Sequence, residues 1–514
     1  MIASTSADSG MQKTVFAFLT DPAKHPNVHR IDTHAASVFL EGDRALKIKR
    51  AVRFPYLDYS TLAKRKAACD EEMKINRQFA PQIYRRVVPI TQANDGSLDI
   101  EGQGTPVEFA IEMTRFDERQ TFDHLAEAGP LDPGIVDAVA DVIAASHAVA
   151  PLAPAEPWIE SIPAFIDGNT QAFRTAACFP KGGVDDLGEA SLSAFSGVRG
   201  LLERRGRQGC VRGCHGDLHL ANIVLISGKP VLFDAIEFDP TIASVDVLYD
   251  LAFTMMDFIH YDRHVAANTL LNRYLEKTSD KNLDALATLP LFTSLRAAIR
   301  ANVLLARLGR TRRDEADVMQ SARAYFGLAH LTIFPPAPTL VAIGGLSGTG
   351  KSVLAYAIAP DVMPQPGAVV LRTDVLRKQL FQVNETDRLA ESAYQPEVTE
   401  QIYEILVQRA LRILSQGHSV VVDAVFASET DRVAIQDAAR KLNIRFVGVF
   451  LVTDLATRLN RVGRRELDAS DATPEIVEIQ DKYDTGPIDW TIIDASGTPG
   501  QTLEQCQTQI AGSK

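Results

Sequence analysis

The sequence predicts two domains in one chain, an α+β domain followed by an α/β domain built on a parallel sheet with helices on both faces. Three observations carry this. At 514 residues the chain exceeds what one hydrophobic core serves, so two or three cores are expected. From about residue 338 short apolar runs (Leu340 to Ile343, Ala368 to Arg372, Ser419 to Asp423, Phe446 to Val452, Trp490 to Asp494) alternate with helical stretches, the pattern of a covered parallel sheet. Before that a hairpin and further strand-like runs come first and helices follow, and Phe334-Pro335-Pro336-Ala337-Pro338 is stiff and extended by composition. The expected organisation is therefore residues 1–334, a linker at 335–338, and residues 339–514.

Composition narrows the class of function. Hydrophobic residues make up 46% and charged residues 23%, ordinary for a soluble globular protein and against long disorder. The net charge of −12 disfavours nucleic acid and anionic membrane as partners. The five cysteines are odd in number and lack CxxC spacing, so neither a disulfide framework nor a zinc knuckle is indicated. No charged segment with a long apolar core opens the chain and no apolar run reaches spanning length, which makes a cytoplasmic protein the expectation. Composition is silent on oligomeric state.

The C-terminal half opens on Val341 to Ser352, VAIGGLSGTGKS. An apolar run enters Gly345-x-x-x-x-Gly350-Lys351-Ser352, and Val353, Leu354 and Ala355 continue as a helix; strand, glycine loop and helix in that order make a P-loop. The backbone N–H groups of Gly345, Leu346, Ser347, Gly348, Thr349 and Gly350 form a phosphate-sized cradle, Lys351 brings a point charge to the β/γ-phosphates of ATP, and the Ser352 hydroxyl ligates Mg²⁺.

In the N-terminal half, Ser37 to Leu40 and Arg44 to Lys49 flank Glu41-Gly42-Asp43 and read as a hairpin, with Lys47 and Lys49 on one face and Leu46 and Ile48 on the other. Ser60 to Phe79 reads as a helix carrying Glu71 and Glu72, one of which can pair with a hairpin lysine. Strand-like runs follow at Tyr84 to Ile90 and Val107 to Met113. Farther on stand Cys214-His215-Gly216-Asp217-Leu218-His219-Leu220-Ala221-Asn222 and then Pro230-Val231-Leu232-Phe233-Asp234. An Asp, an Asn five positions on and a second Asp after an apolar turn-back is the layout of a kinase-type catalytic loop: the first Asp takes the attacking hydroxyl's proton, and the Asn and second Asp hold Mg²⁺.

These residues resemble the aminoglycoside phosphotransferase and choline kinase branch of the bilobal protein-kinase-like fold. The resemblance implies that Asp217 is the catalytic base, Asn222 and Asp234 the Mg²⁺ ligands, and Lys47 the phosphate-binding strand lysine. Glu72 is the better match to its helix partner, with Glu71 the alternative, and Phe109 to Met113 matches the hinge, Glu112 and Met113 meeting adenine through backbone groups. Two departures stand out: the hairpin has Gly42 alone, and Ala235-Ile236 follow Asp234 where protein kinases have Phe-Gly. His215 and His219 have no third ligand at suitable spacing and read as bracing and lining residues rather than a metal site. Glu237, Asp239, Asp246 and Asp250 either face a cationic or polyhydroxyl acceptor or serve as helix caps and surface.

Past the glycine loop, Asp374 sits just beyond a strand end in Arg372-Thr373-Asp374-Val375-Leu376-Arg377. This resembles the gluconate kinase, polynucleotide 5′-hydroxyl kinase and zeta-toxin group of P-loop phosphotransferases. The resemblance implies Asp374 as the base, Arg377 as an acceptor or phosphate clamp, Asp423 as a carboxylate near Mg²⁺, and Arg461, Arg464 and Arg465, with Arg458, as lid arginines; a solvated basic face is the alternative for these, with Asp468 and Asp471 as resting partners. The whole resembles bacterial fusions of the two kinase types. The expected activity is ATP- and Mg²⁺-dependent phosphorylation of hydroxyl groups on a small molecule, a sugar or related metabolite, at two sites. The alternatives are that one domain regulates the other by binding nucleotide, or that the C-terminal domain is a polynucleotide-end kinase.

Overall fold

A computed structural model describes residues 6–33, 35–54, 57–306, 315–384, 386–464 and 469–512. The chain forms two compact units, Met1–Phe165 with Arg199–Asp257, and Ile166–Val198 with Phe258–Lys514.

The first unit is built on a six-stranded antiparallel sheet in the order His29–Asp32, Ala36–Glu41, Arg44–Lys49, Thr105–Thr114, Tyr84–Gln92, Leu98–Ile100. Period-two alternation decides what each face carries. Leu46 and Ile48 turn to one side, where they are buried with Phe39, Val88 and Ile90 against Val15, Phe16 and Leu19 of the helix Ser6–Leu19. Lys47 and Lys49 turn to the other, toward the helix Leu62–Phe79. That helix starts where the Thr61 hydroxyl accepts from the Lys64 N–H, and it buries Cys69 and Met73 with Tyr84 and Ile111 of the sheet and Val224 and Val231 of the hairpin Ile223–Ile226/Lys229–Leu232. Each large aliphatic side chain so buried contributes about 1.5–3 kcal/mol.

The second unit carries a five-stranded, wholly parallel sheet in the order Val369–Arg372, Val420–Asp423, Thr339–Gly344, Arg445–Val452, Thr491–Asp494. Its central strands are continuous apolar runs because both faces are covered. Gly448 has no room for a side chain, since a Cβ there would lie 2.5 Å from the Trp490 ring. The edge strand Val369–Arg372 is sealed by the helix His264–Lys277. Asn272 donates to the Ala368 carbonyl at 3.1 Å and accepts from the Val370 N–H at 2.7 Å, while Asn268 donates to the same carbonyl at 3.0 Å. Two outward backbone groups of this edge, the Ala368 carbonyl and the Val370 N–H, are thereby satisfied, which leaves less of the edge to pair with another chain. Arg412 with Asp280 and Asp284, and Arg409 with Asp280, continue this seam outward. Among the described residues no helix is long and apolar enough to cross a membrane.

Candidate active sites

In the first unit, Lys47 Nζ lies 2.8 Å from Glu72 Oε1 and also contacts Asp234 Oδ1. Glu72 is fully buried, whereas Glu71 pairs with Lys74 at the surface, so the geometry selects between the two glutamates. Glu72 is shared: its second oxygen contacts Lys49, which in turn contacts Glu237, and the Tyr59 hydroxyl donates to Glu237 at 2.9 Å. Burial would lower the Lys47 ammonium's pKa, but Asp234 and Glu72 more than reverse this and hold it well above the usual lysine range. Burial would raise Asp234; Lys47, by charge and hydrogen bond, and Lys49 hold it below the usual carboxylate range.

Asp234 adopts a left-handed backbone, φ +62°, which costs about 1 kcal/mol for a side chain that must be held elsewhere. The holding groups are visible. The Asp234 N–H donates to the Tyr84 hydroxyl oxygen at 3.2 Å, and Asn76 both accepts from Ala235 N–H (2.7 Å) and donates to Ala235 C=O (3.1 Å). Asp217 and Asn222 are joined by Asn222 Nδ2 donating to the Asp217 carbonyl at 2.8 Å. The loop bearing them is pinned by one face of the helix Val247–His260: Asp250 accepts from the His215 and Gly216 N–H groups (3.2 and 2.9 Å), Thr254 donates to Leu218 C=O (2.7 Å), and Asp257 accepts from Leu220 N–H (3.0 Å). Glycine is needed at 216, where φ is +82° and a Cβ would sit 3.2 Å from Ala243 Cα.

Lys47, Lys49, Asp217, Asp234 and Glu237 line one cavity of about 300 Å³, walled by Val38, Leu40, Ala45 and Phe233. Residues Met113 to Phe116 border it, overlapping the expected hinge at Phe109 to Met113 only at Met113. Glu112 does not line it: its side chain pairs with Arg86 at 2.7 Å, because strand alternation turns it away from the face Met113 presents. His215 Nε2 donates to Phe233 C=O (2.9 Å), and burial lowers its pKa, as expected of a bracing residue. Of the acidic run, Asp246 pairs with Arg205 and Asp250 braces the loop; Glu237 alone of the buried ones faces the cavity.

In the second unit Gly345, Gly348 and Gly350 all have positive φ (+138°, +88°, +97°), and a Cβ on Gly348 would approach the Arg458 carbonyl oxygen to 2.7 Å. Gly350 precedes the first turn of the helix Lys351–Ile358. Within the loop Thr349 Oγ1 donates to Leu346 C=O (2.8 Å), Lys351 Nζ to the same carbonyl (3.3 Å), and Ser347 N–H to Gln480 Oε1 (2.7 Å). Ser352 Oγ donates to Asp423 Oδ2 at 2.6 Å, and Arg372 bridges both, at 3.3 Å from Asp423 and 3.1 Å from Ser352. Ser347, Gly348, Lys351, Ser352, Asp374, Arg377 and Asp423 line a cavity of about 410 Å³. A second cavity of about 320 Å³ lies against Gly348, Thr349 and Gly350, with Arg461 and Ala495 on its walls. Burial, and then the neighbouring Asp423, push the Asp374 carboxyl above its usual range.

The basic residues divide. Arg461 donates to Thr349, Ala495 and Gly497 carbonyls (3.3, 2.8 and 3.1 Å), Arg458 is buried against Asp481, and Arg464 is exposed at its helix end. Arg465 and Asp468 lie outside the described residues. Asp471, expected as an arginine partner, instead pairs with Lys378 at 2.7 Å, because Lys378 is buried and needs an anion. Sequence reasoning named neither Lys378 nor the Arg372 bridge, and it read Lys49 only as a facemate of Lys47. Two lysines on one strand face beside an acidic run after Asp234 were the available signal.

Both donor sets consist of hard oxygen ligands, Asn222 with Asp234 and Ser352 with Asp423, which suit Mg²⁺. Two lysine-and-carboxylate clefts of this construction define an enzyme that transfers phosphoryl groups. The chain belongs to the phosphotransferase enzyme family, whose model matches residues 27–287. A second family model, described as an AAA domain, matches residues 340–483. Two curated relatives, the uncharacterized protein Rv2004c of Mycobacterium tuberculosis and the uncharacterized protein Mb2027c of Mycobacterium bovis, are each 28% identical over 477 residues, covering 88% of this chain and 90% of theirs. Among solved structures, the ethanolamine kinase of Plasmodium vivax is similar over 59% of this chain and 81% of its own (11% identity, TM-score 0.37). A gluconokinase from Sinorhizobium meliloti is similar over 34% of this chain and 93% of its own (18% identity, TM-score 0.25).

Proposed function

We propose that this phosphotransferase has two separate active sites, each using ATP and Mg²⁺ to phosphorylate a hydroxyl group of a small molecule such as a sugar or related metabolite. The observation that carries this is the presence of two cavities, each lined by a phosphate-directed lysine and two aspartates, Lys47 with Asp217 and Asp234 in one and Lys351 with Asp374 and Asp423 in the other. Mg²⁺ when bound neutralises phosphate charge as it develops. The chain's own residues do the rest. Lys47, oriented by Glu72, and Lys351, at the mouth of the glycine loop, bind the phosphates; Asp217 and Asp374 accept the proton of the attacking hydroxyl. Asn222 holds the Asp217 backbone carbonyl at 2.8 Å and donates to its carboxylate at 3.3 Å, and Asp374, its carboxyl raised by burial, is a stronger base than an exposed aspartate.

Titration of the full chain with Mg-ADP tests the two-site reading. Wild type is expected to bind two nucleotides per chain, and Lys47→Met and Lys351→Met one each. One nucleotide in wild type, lost in a single variant, would contradict it.

A further inference from the structure

Resting on the reading of the Asp374 cleft as a phosphotransferase site, we infer that its acceptor is a polyhydroxyl compound bearing no phosphate or carboxylate, neutral or carrying an amino group. Beside apolar residues such as Val425 and Ile476, hydroxyl and carboxylate groups line this cavity. Thr399, Tyr394, Tyr403, Ser428 and Ser470 line it together with Asp374, Asp431 and Asp471. These groups match the alternating donors and acceptors of a polyol, and the two tyrosine rings offer apolar faces to its C–H edges.

The charge of the described residues disfavours an anionic acceptor. Among the described residues lining this cavity the cations are Lys351 and Arg377. Lys351 belongs to the glycine loop. Arg377 is committed: it donates to the Ala393 carbonyl at 2.5 Å and to Thr399 Oγ1 at 3.4 Å, and its guanidinium lies 4.8 Å from the centre of the Tyr394 ring. It is buried, so leaving those partners for an acceptor anion would strand the Ala393 carbonyl. Asp471 is neutralised by Lys378; among the described residues neither Asp374 nor Asp431 makes a direct ion pair, although Arg372 and Lys351 act on the first by charge and Arg432 on the second. A carboxylate or phosphate on the acceptor would therefore face two carboxylates as well as the nucleotide's phosphates, whereas a hydroxyl or ammonium would be welcomed. In the transfer step the acceptor oxygen bonds to the γ-phosphorus, its proton passes to Asp374, and the bond from that phosphorus to the β,γ-bridging oxygen breaks, releasing ADP with the electron pair.

The test uses the full chain carrying Asp217→Asn, which silences the other cleft, and reads ADP release with Mg-ATP against sorbitol, glucose, glucosamine, gluconate and a 5′-hydroxyl oligonucleotide. The neutral and amino compounds are expected to give kcat/KM at least about tenfold above gluconate and the oligonucleotide. Adding Asp431→Asn is expected to narrow the gap between glucosamine and gluconate without changing the KM for ATP. Stimulation by gluconate or oligonucleotide equal to or above that of the neutral compounds, or no stimulation by any neutral or amino compound, overturns the inference. Adding Asp374→Asn separates the two failures: acceptor-dependent release that survives it overturns the reading of the site itself, while release that it abolishes but that gluconate drives overturns only the acceptor class.

Discussion

Asp374 carries opposed demands within one side chain. Its burial beside Asp423 raises its carboxyl pKa, which favours proton uptake from a hydroxyl and costs stability while the group is ionised. The folded value lies above the unfolded one, so the folded state binds the proton more tightly; the cost is present at neutral pH and fades as pH falls through the folded value. Asp374→Asn is therefore predicted to lower transfer at this site about 10²–10⁴-fold and yet to raise Tm at pH 7, with the gain shrinking toward acid; thermal melts across pH check the sign. The transfer rate dependent on Asp374 should also fall on the acid side at a higher pH than an aspartate at its ordinary 3.8 would give. Glu237 makes the second prediction. It shares Lys49 with Glu72, and removing its charge leaves two ammonium groups competing for one buried carboxylate. Glu237→Gln should destabilise the first unit by about 3 kcal/mol in denaturant unfolding and raise the Mg²⁺ concentration needed for half-maximal activity, because Lys47 and Lys49 then draw on Asp234. Unchanged Mg²⁺ dependence would refute that coupling. Asp217, Asn222 and Asp234 were legible in the sequence from their short spacing, whereas Lys47, 187 residues from Asp234, was named only through the family resemblance. The Lys49–Glu237 contact was not legible, since its partners stand 188 residues apart and nothing local links them.

Elements, rather than residues, decide how these groups stay in place. The helix Val247–His260 offers Asp250, Thr254 and Asp257 along one face, and all three meet backbone groups of the loop that holds Asp217. The sequence reading placed Asp250 in an acidic run with two readings, acceptor-facing or capping and surface, and named neither Thr254 nor Asp257, because whether a side chain meets backbone or acceptor depends on which face packs. In the glycine loop the reading was sharper: a spacing of glycines specifies backbone conformation directly. Gly348→Ala is predicted to abolish Mg-ATP binding at that site in calorimetric titration, since a Cβ there meets the Arg458 carbonyl at 2.7 Å with φ already at +88°. Retained affinity would show that the loop rearranges freely. The edge strand Val369–Arg372 leads into Arg372 and Asp374, and the helix His264–Lys277 seals it. Asn272→Leu strands the Val370 N–H and weakens the hold on Ala368, so a loss of about 1–3 kcal/mol in stability is expected, with lowered activity at the Asp374 site. No element-by-element reading of the sequence exposes that seal, because the two asparagines lie about a hundred residues from the strand they satisfy and resemble any polar helix positions.

At the scale of the whole molecule, two unrelated kinase-type domains share one chain, and the alignment with the mycobacterial relatives runs through most of both. Fold class was legible throughout: an antiparallel sheet with its helices, then strictly parallel strands, followed from period and order. The compact units are less simply ordered, since residues Ile166–Val198 and Phe258–Ile333 cluster with the parallel sheet although they precede the proline-rich segment. Sequence order tracks motifs, whereas compactness tracks side chains such as Asn272 that act at long range. The central claim is that both clefts catalyse transfer, and parallel assays of ADP release with Mg-ATP and a panel of neutral and amino polyols and amino alcohols test it most directly. Asp217→Asn and Asp374→Asn should each remove a different part of the acceptor-stimulated rate, and the double variant should remove all of it. A single variant that eliminates every acceptor-dependent signal, while the other leaves all of them intact, would contradict the account.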